Sequence, residues 1–338
     1  MNTARHTGTI QAIATALEPI VHGAGTAGNI QLLRMQEFLY IDDDGEFQRA
    51  RVPFISGNSL KHRLRDAAVR YALDAMGVAD GSLTKAEIDL LFSGGHLSKS
   101  GAAVDLTSAR KLSELFPPLS LCGYSAGNAM EESKIRVSNL HVVCRENRDR
   151  IPDTLKDDPM LALSAGATRV EEFGTRHDQA TKAVGRRWLT DGAGQAVAER
   201  KTKALKGKKG DAPESAADAR GDSAQMIYQF EGIIAGAKLW FSVDFRDLTD
   251  AERAALASAF HYASTGRRGE ALVMGIGAKN SIGYGTIKVE LATSLRIAPP
   301  VYQQTAMIAQ GDTEAAAYTA HLRERKDEIL AAIREAVS

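Results

Sequence analysis

Cysteine is nearly absent: Cys122 and Cys144 are the only two in 338 residues. Two thiols cannot build a disulfide framework, which fits a reducing cytoplasm. Net charge is absent too, since 42 basic residues balance 42 acidic ones. Overall attraction to a polyanion is therefore not implied, and any nucleic-acid site has to be a local patch. No window strings together the roughly 18 apolar residues that a membrane span needs. The N-terminal stretch, residues 1–16, lacks an uninterrupted apolar core and reads as a strand rather than a secretion signal. No repeat with a period of about 20–50 residues is visible.

Several chemical motifs are missing as well. His22-Gly23-Ala24-Gly25-Thr26-Ala27-Gly28-Asn29 is a glycine-rich loop without the Gly-Lys-Ser/Thr ending of a phosphate-binding loop. His141 and Cys144 have the spacing of half a zinc site. Residues three apart on a strand point to opposite faces, however, and there is no second ligand pair, so no metal or other cofactor is expected. Asp42-Asp43-Asp44-Gly45 is explained by turn chemistry between two strands, residues 31–41 and 46–55.

The remaining pattern is that of a folded α+β chain, with 44% apolar and 25% charged residues. Strands are expected at 9–20, 134–144, 238–245 and 286–291. In 238–245, Leu239, Phe241, Val243 and Phe245 share one face. Helices are expected at 60–76, with Ser59 as N-cap and Gly77 as C-cap, and at 249–264, opened by a Thr249–Glu252 capping box. Residues 80–130 read as helical and irregular, with a helix from Ser108 stopped by Pro117 and Pro118. Residues 313–336 read as an amphipathic helix with Leu322, Ile329 and Ile333 on its buried side. The core order is β-α-β-β-α-β, the ferredoxin-like unit and also the topology of the RRM, whose sheet binds single-stranded RNA. The aromatic motif of the RRM sheet does not appear, so base stacking on the sheet is not supported.

Two stretches carry chemistry. In Arg51-Val52-Pro53-Phe54-Ile55-Ser56-Gly57-Asn58-Ser59-Leu60-Lys61-His62-Arg63-Leu64-Arg65, a strand runs through a polar turn into a helix. Lys61 and Arg65 share a face near the positive end of the helix dipole, and with the unpaired first amides they suggest an anion site. The plainer reading is a solvated, charged helix start. In Gly275-Ile276-Gly277-Ala278-Lys279-Asn280-Ser281-Ile282-Gly283-Tyr284-Gly285, the glycines suggest close approach of a backbone to a ligand. Lys279, Asn280 and Ser281 sit at the tip. The plainer reading here is a mobile loop with a bulge.

The first stretch resembles the P-x-I-x-G-S-S-L-K-G-x-L-R hallmark of the RAMP proteins of CRISPR systems, with Asn58 for a small hydroxyl and His62 for glycine. The glycine-rich loop resembles the one that ends the RAMP core, and the two motifs lie in the family's order. Chain length and the wording of both motifs are most similar to the backbone subunit of type IV systems. The resemblance implies an RRM/ferredoxin-like palm with a helical insertion and a long basic thumb. Its parts are the palm at 1–79, 134–144 and 226–298, the helical insertion at 80–133, the thumb at 145–225 and a C-terminal helix within 299–338. Residues 176–209 hold ten Lys or Arg against three acids, Asp178, Asp191 and Glu199. They read either as a solvated loop or as a basic finger on a phosphate backbone.

The function implied is a CRISPR effector backbone subunit in the cytoplasm. It would bind guide RNA without regard to sequence and line up with copies of itself. It would join other effector subunits and meet target nucleic acid through guide pairing, with no membrane and no cofactor. The implied RNA contacts are Ser56, Asn58, Ser59, Lys61 and Arg65 in the first motif, and Lys279, Asn280 and Ser281 at the loop tip. Asn29, Gln31 and Arg34 follow the first loop, and Arg169, Phe173, Arg176, His177 and Lys182 are thumb candidates. Type III relatives cut target RNA with an Asp where this chain has Asn29. An amide cannot act as that base or bind a metal as a carboxylate does, so no cleavage is expected. Two alternatives stay open. One is a metal-independent guide-processing endoribonuclease using His6, His22 or His177, and the other is a stand-alone single-stranded RNA-binding protein.

Overall fold

A computed structural model describes residues 5–97, 106–127, 129–176, 226–264, 272–291 and 316–337. The chain divides into two units. The main one comprises residues 1–24, 33–170 and 232–338, and the second comprises 25–32 and 171–231.

The chain opens with β1 (His6–Ala16), followed by two short strands, β2 (Gly23–Ala27) and β3 (Ile30–Leu33). The expected glycine-rich loop at 22–29 is therefore mostly strand, with the turn confined to Gly28-Asn29. The hairpin around the Asp run forms as expected. β4 (Met35–Ile41) pairs antiparallel with β5 (Phe47–Ile55), and Asp42 closes the turn by accepting the Asp44 and Glu46 amides.

Helix α1 (Gly57–Met76) then buries Leu60, Leu64, Ala68 and Ala72 on one stripe. Gly77 ends it in the left-handed region, φ 59°. Its N-cap is Ser56 rather than Ser59, and no side chain caps it locally. Distant residues do that work: His22 Nε2 accepts the Ser56 amide at 3.1 Å, and Asn139 Oδ1 accepts the Gly57 amide at 3.0 Å. Gly57 is required by close approach, because a Cβ there would stand 2.3 Å from the Val137 carbonyl oxygen.

The region after α1 holds a one-turn helix α2 (Lys85–Ile88) with its own Thr84–Glu87 capping box, then β6 (Gly95–Leu97), α3 (Leu106–Leu115) and α4 (Pro117–Cys122). Pro117 and Pro118 end α3 as expected but also open α4, where a missing amide costs nothing. β7 (Tyr124–Gly127) pairs with β6 and with β8 (Ala129–Glu131). The expected strand 134–144 is two strands, β9 (Ile135–Val137) and β10 (Leu140–Val142), parted where Ser138 and Asn139 turn to bond neighbouring chain.

Residues 145–168 were expected to begin the thumb. They instead form 3-10 turns within the main unit, and Ile151, Leu155 and Leu161 cluster with Val143, Ile13 and Trp240. Strand β11 (Arg169–Arg176) leads out of them, and β12 (Met226–Ile233) leads back. In the second unit β12 runs parallel to β3, pairing Gln229 with Ile30 and Phe230 with Gln31. Its sheet has the order β11-β12-β3-β2. The thumb candidates His177 and Lys182, with the basic run through 209, lie outside the described residues.

The core closes with β13 (Lys238–Leu248), α5 (Asp250–Ala263), β14 (Leu272–Gly275) and β15 (Thr286–Leu291). The main sheet has the order β14-β15-β1-β13-β10-β5-β4, with β9 also on β13, and its pairings are antiparallel. Read as first, second, third and fourth core strands, this is 4-1-3-2, the ferredoxin-like order. Small faces large in the core register: Ala12 opposes Phe241, and Ala14 lies between Leu239 and Val289. Helices α1 and α5 pack together over that face, while the 3-10 turns cover Ile13 and Trp240 on the other. The sheet surface that an RRM would offer to bases is thus partly occupied by the chain itself. The C-terminal helix comes in two pieces, α6 (316–324) and α7 (Lys326–Val337), with Leu322, Ile329 and Ile333 buried. Among the described residues no helix is long and apolar enough to cross a membrane.

Candidate nucleic-acid interface

The two motif stretches, more than 200 residues apart, meet. Arg63 on α1 donates through Nη2 to Oδ1 of Asn280 in the glycine-rich loop. Asn280 spends its other end on the loop, its Nδ2 donating to the Tyr284 carbonyl at 2.8 Å and the Ile276 carbonyl at 3.1 Å. The loop is tied further: the Gly285 amide donates to the Pro19 carbonyl and the Ala278 amide to the Val21 carbonyl, both at 2.8 Å. This is a fastened loop, not a mobile one.

The glycines serve that fastening rather than close approach of a ligand. A Cβ on Gly285 would lie 2.0 Å from the Ile276 carbonyl oxygen, and one on Gly277 2.4 Å from the Val21 carbonyl oxygen. Only Gly283 is open, with nothing within 4 Å. Lys279 holds φ 63°, a left-handed value for a residue with a side chain, and places the single 3-10 turn Asn280–Ile282 at the tip. Ser281 is exposed there.

A groove of about 470 Å³ runs where α1, the Val21–Gly23 segment and the loop come together. Ser59, His62, Arg63 and Arg70 line it, together with one carboxylate, Asp66. A second cavity of about 280 Å³ shares Arg63, Asp66 and Arg70 and adds Tyr262 and Asn280. Asp66 Oδ2 accepts from Arg70 Nε at 2.9 Å. Arg63 is fixed by one bond, and a guanidinium has further donors to offer an anion.

The expected cations Lys61 and Arg65 do not line this groove. An α-helix turns by roughly 100° per residue, so Lys61 and Arg65 point away from the face of Ser59, Arg63 and Arg70. Arg65 is structural: its Nη2 donates to the Cys122 carbonyl at 2.8 Å and the Gly123 carbonyl at 2.6 Å, closing the C-terminus of α4. Burial holds the Lys61 ammonium below the usual lysine range, and repulsion from Arg65 adds to that. The helix start is also less open to anions than the sequence suggests, since the Ser56 and Gly57 amides are taken by His22 and Asn139. Ser56 and Ser59 share a hydroxyl contact at 3.2 Å, and Asn58 is exposed.

The other expected contacts fall in both units. Arg34 is exposed in the main unit, its amide on the His22 carbonyl at 2.8 Å. Asn29 and Gln31 belong to the second unit, where the Asn29 carbonyl accepts the Gln229 amide at 3.1 Å. Phe173 is 68% exposed on β11, Arg169 is exposed at its start, and Arg176 ends it. His22 is buried, and burial together with nearby Arg34 pulls its pKa down to about 4. His6 sits against Asp250, Nε2 to Oδ1 at 2.7 Å, away from both cavities. His141 stacks on Trp240, and among the described residues no three His, Cys, Asp or Glu side chains gather as metal ligands.

The family model of the RAMP superfamily matches residues 15–288, from β1 to β15 and across both motifs. The chain belongs to the RAMP superfamily. No curated protein sequence matches it. Among solved structures, a chain described as "Type IV-B CRISPR Complex" is 15% identical with a TM-score of 0.44, over 86% of this RAMP chain and 92% of that one. The hallmark motif of this RAMP protein thus builds α1 and its anchorage, and the groove cations are Arg63, between the motif's expected contacts, and Arg70, about one turn and a half beyond them. Arg63 and Arg70 were not singled out in the sequence. Their shared spacing with Ser59 and Asp66 on one helix face was the available signal.

Proposed function

We propose that this protein is a backbone subunit of a CRISPR effector, most like that of type IV systems. It binds guide RNA through its phosphates, without regard to sequence, and lines up with copies of itself and other subunits along it. The observation that carries this reading is the groove in which Arg63 and Arg70 of α1 face a glycine-rich loop clamped by Asn280. Two guanidiniums lining one groove suit a phosphate chain, and family membership makes RNA the natural polyanion. Target nucleic acid is then read by pairing with the guide.

The reading includes no catalytic role. Asn29 replaces the acid expected of a cutting subunit. His22 offers little to proton transfer, because its Nε2 already accepts the Ser56 amide and its pKa is held near 4. Purification without nuclease, followed by sequencing of the co-purifying RNA, tests the proposal. Guide-like RNA of many sequences supports it. Protein free of nucleotide that takes up none on addition contradicts it.

A further inference from the structure

A carboxylate in a groove meant for phosphates is an anomaly that needs a use. Asp66 lines both cavities between the two arginines, with its side chain 27% exposed. Next to a phosphate it repels, and its pairing with Arg70 cancels part of the charge that phosphate binding needs. Pairing alone does not require this position, because an i,i+4 pair stabilises a helix equally well on any exposed face. Oδ2 is taken by Arg70 at 2.9 Å, and no hydrogen bond to Oδ1 is found among the described residues.

We propose that Asp66 accepts the ribose 2′-hydroxyl of the bound strand and makes this groove select RNA over DNA. The inference rests on the groove being the strand's binding site. An ionised phosphodiester has no proton to donate, and the only sugar donor along an internal strand is the 2′-hydroxyl. Phosphates on Arg63 and Arg70 place the intervening ribose beside the carboxylate between them. A hydroxyl given to a charged acceptor is worth about tenfold in affinity. A deoxyribose leaves the carboxylate facing the strand with nothing to accept.

The experiment compares one single-stranded sequence as RNA, as DNA and as 2′-O-methyl RNA, binding to the full chain by fluorescence anisotropy at fixed salt. The wild type is expected to favour RNA by about tenfold over DNA and over the methylated strand. Asp66→Ala is expected to bring the three to within about threefold, chiefly by gaining DNA affinity. Asp66→Asn, which keeps shape and one acceptor, should fall between. Arg70→Gln serves as the contrast: it breaks the ion pair, weakens RNA and DNA alike and leaves their ratio in place. If Asp66→Ala changes both affinities by the same factor, Asp66 only positions Arg70 and the inference is overturned. A wild type that binds RNA and DNA equally also overturns it, while leaving the groove reading intact. Failure to bind any strand overturns the groove reading as well.

Discussion

Arg63 and Asn280 are 217 positions apart in sequence and are joined by a side-chain hydrogen bond. That one contact fixes the start of the first core helix against the glycine-rich loop, and it orients a cation at the rim of the groove. Asn280 is the centre of the joint, since it also holds the Ile276 and Tyr284 carbonyls.

Asn280→Ala removes three bonds, two of them to the Ile276 and Tyr284 carbonyls. The expected loss is about 2–3 kcal/mol of stability, together with weaker RNA binding. Urea denaturation beside a binding titration checks both. Unchanged stability would mean that the loop is not built around this side chain.

Two loop glycines separate packing from ligand approach. Gly285→Ala drives a Cβ to 2.0 Å from the Ile276 carbonyl oxygen at φ 74° and should cost at least about 3 kcal/mol. Gly283→Ala meets nothing within 4 Å and suffers only from φ 97°, so about 1–2 kcal/mol is expected. Equal melting temperatures for the two variants would contradict the fastened-loop account.

Acid should lower the stability of the fold. His22 and His141 both have folded pKa values pulled down to about 4 from 6.5, chiefly by burial. The unfolded chain therefore binds protons first as pH falls. Their contribution is fully present above about pH 6.5 and is lost as pH drops toward 4, each histidine being worth on the order of 1–3 kcal/mol. Denaturation midpoints at pH 7.5, 6 and 5 measure the slope. His22→Gln is expected to flatten it, and an unaltered slope would show that His22 does not titrate in this window.

Arg65→Ala is expected to act on folding rather than on RNA. It strips the donor from the Cys122 and Gly123 carbonyls at the end of the buried helix α4, leaving them short of that partner, and should cost about 2 kcal/mol. RNA affinity per folded molecule, measured below the melting temperature, should stay within about threefold of wild type. A large loss of binding with no loss of stability would restore Arg65 as an RNA contact.

Much of the core could be read directly from the chain. The alternation Leu239, Phe241, Val243, Phe245 named its own buried face, and the Thr249–Glu252 box and Gly77 marked helix ends, because each signal is local. The site was less legible. Spacing showed that Lys61 and Arg65 share a face, but not that Arg65 closes α4 while Ser59, Arg63 and Arg70 line a groove beside the loop. The N-cap was misplaced because His22 and Asn139, remote in sequence, satisfy the first amides. Residues 145–168 passed for loop because Ile151, Leu155 and Leu161 follow neither a helical nor a strand period, and short 3-10 turns leave no such rhythm.

The most direct measurement is the salt dependence of single-stranded RNA binding by the wild type and by Arg63→Gln/Arg70→Gln. Each phosphate contact contributes about 0.7 to the slope of log affinity against log salt, so the double variant should lose about 1.4 of slope for every RNA sequence tried. An equal loss of slope in Lys61→Ala, or none in the double variant, would contradict a groove in which Arg63 and Arg70 carry the phosphates.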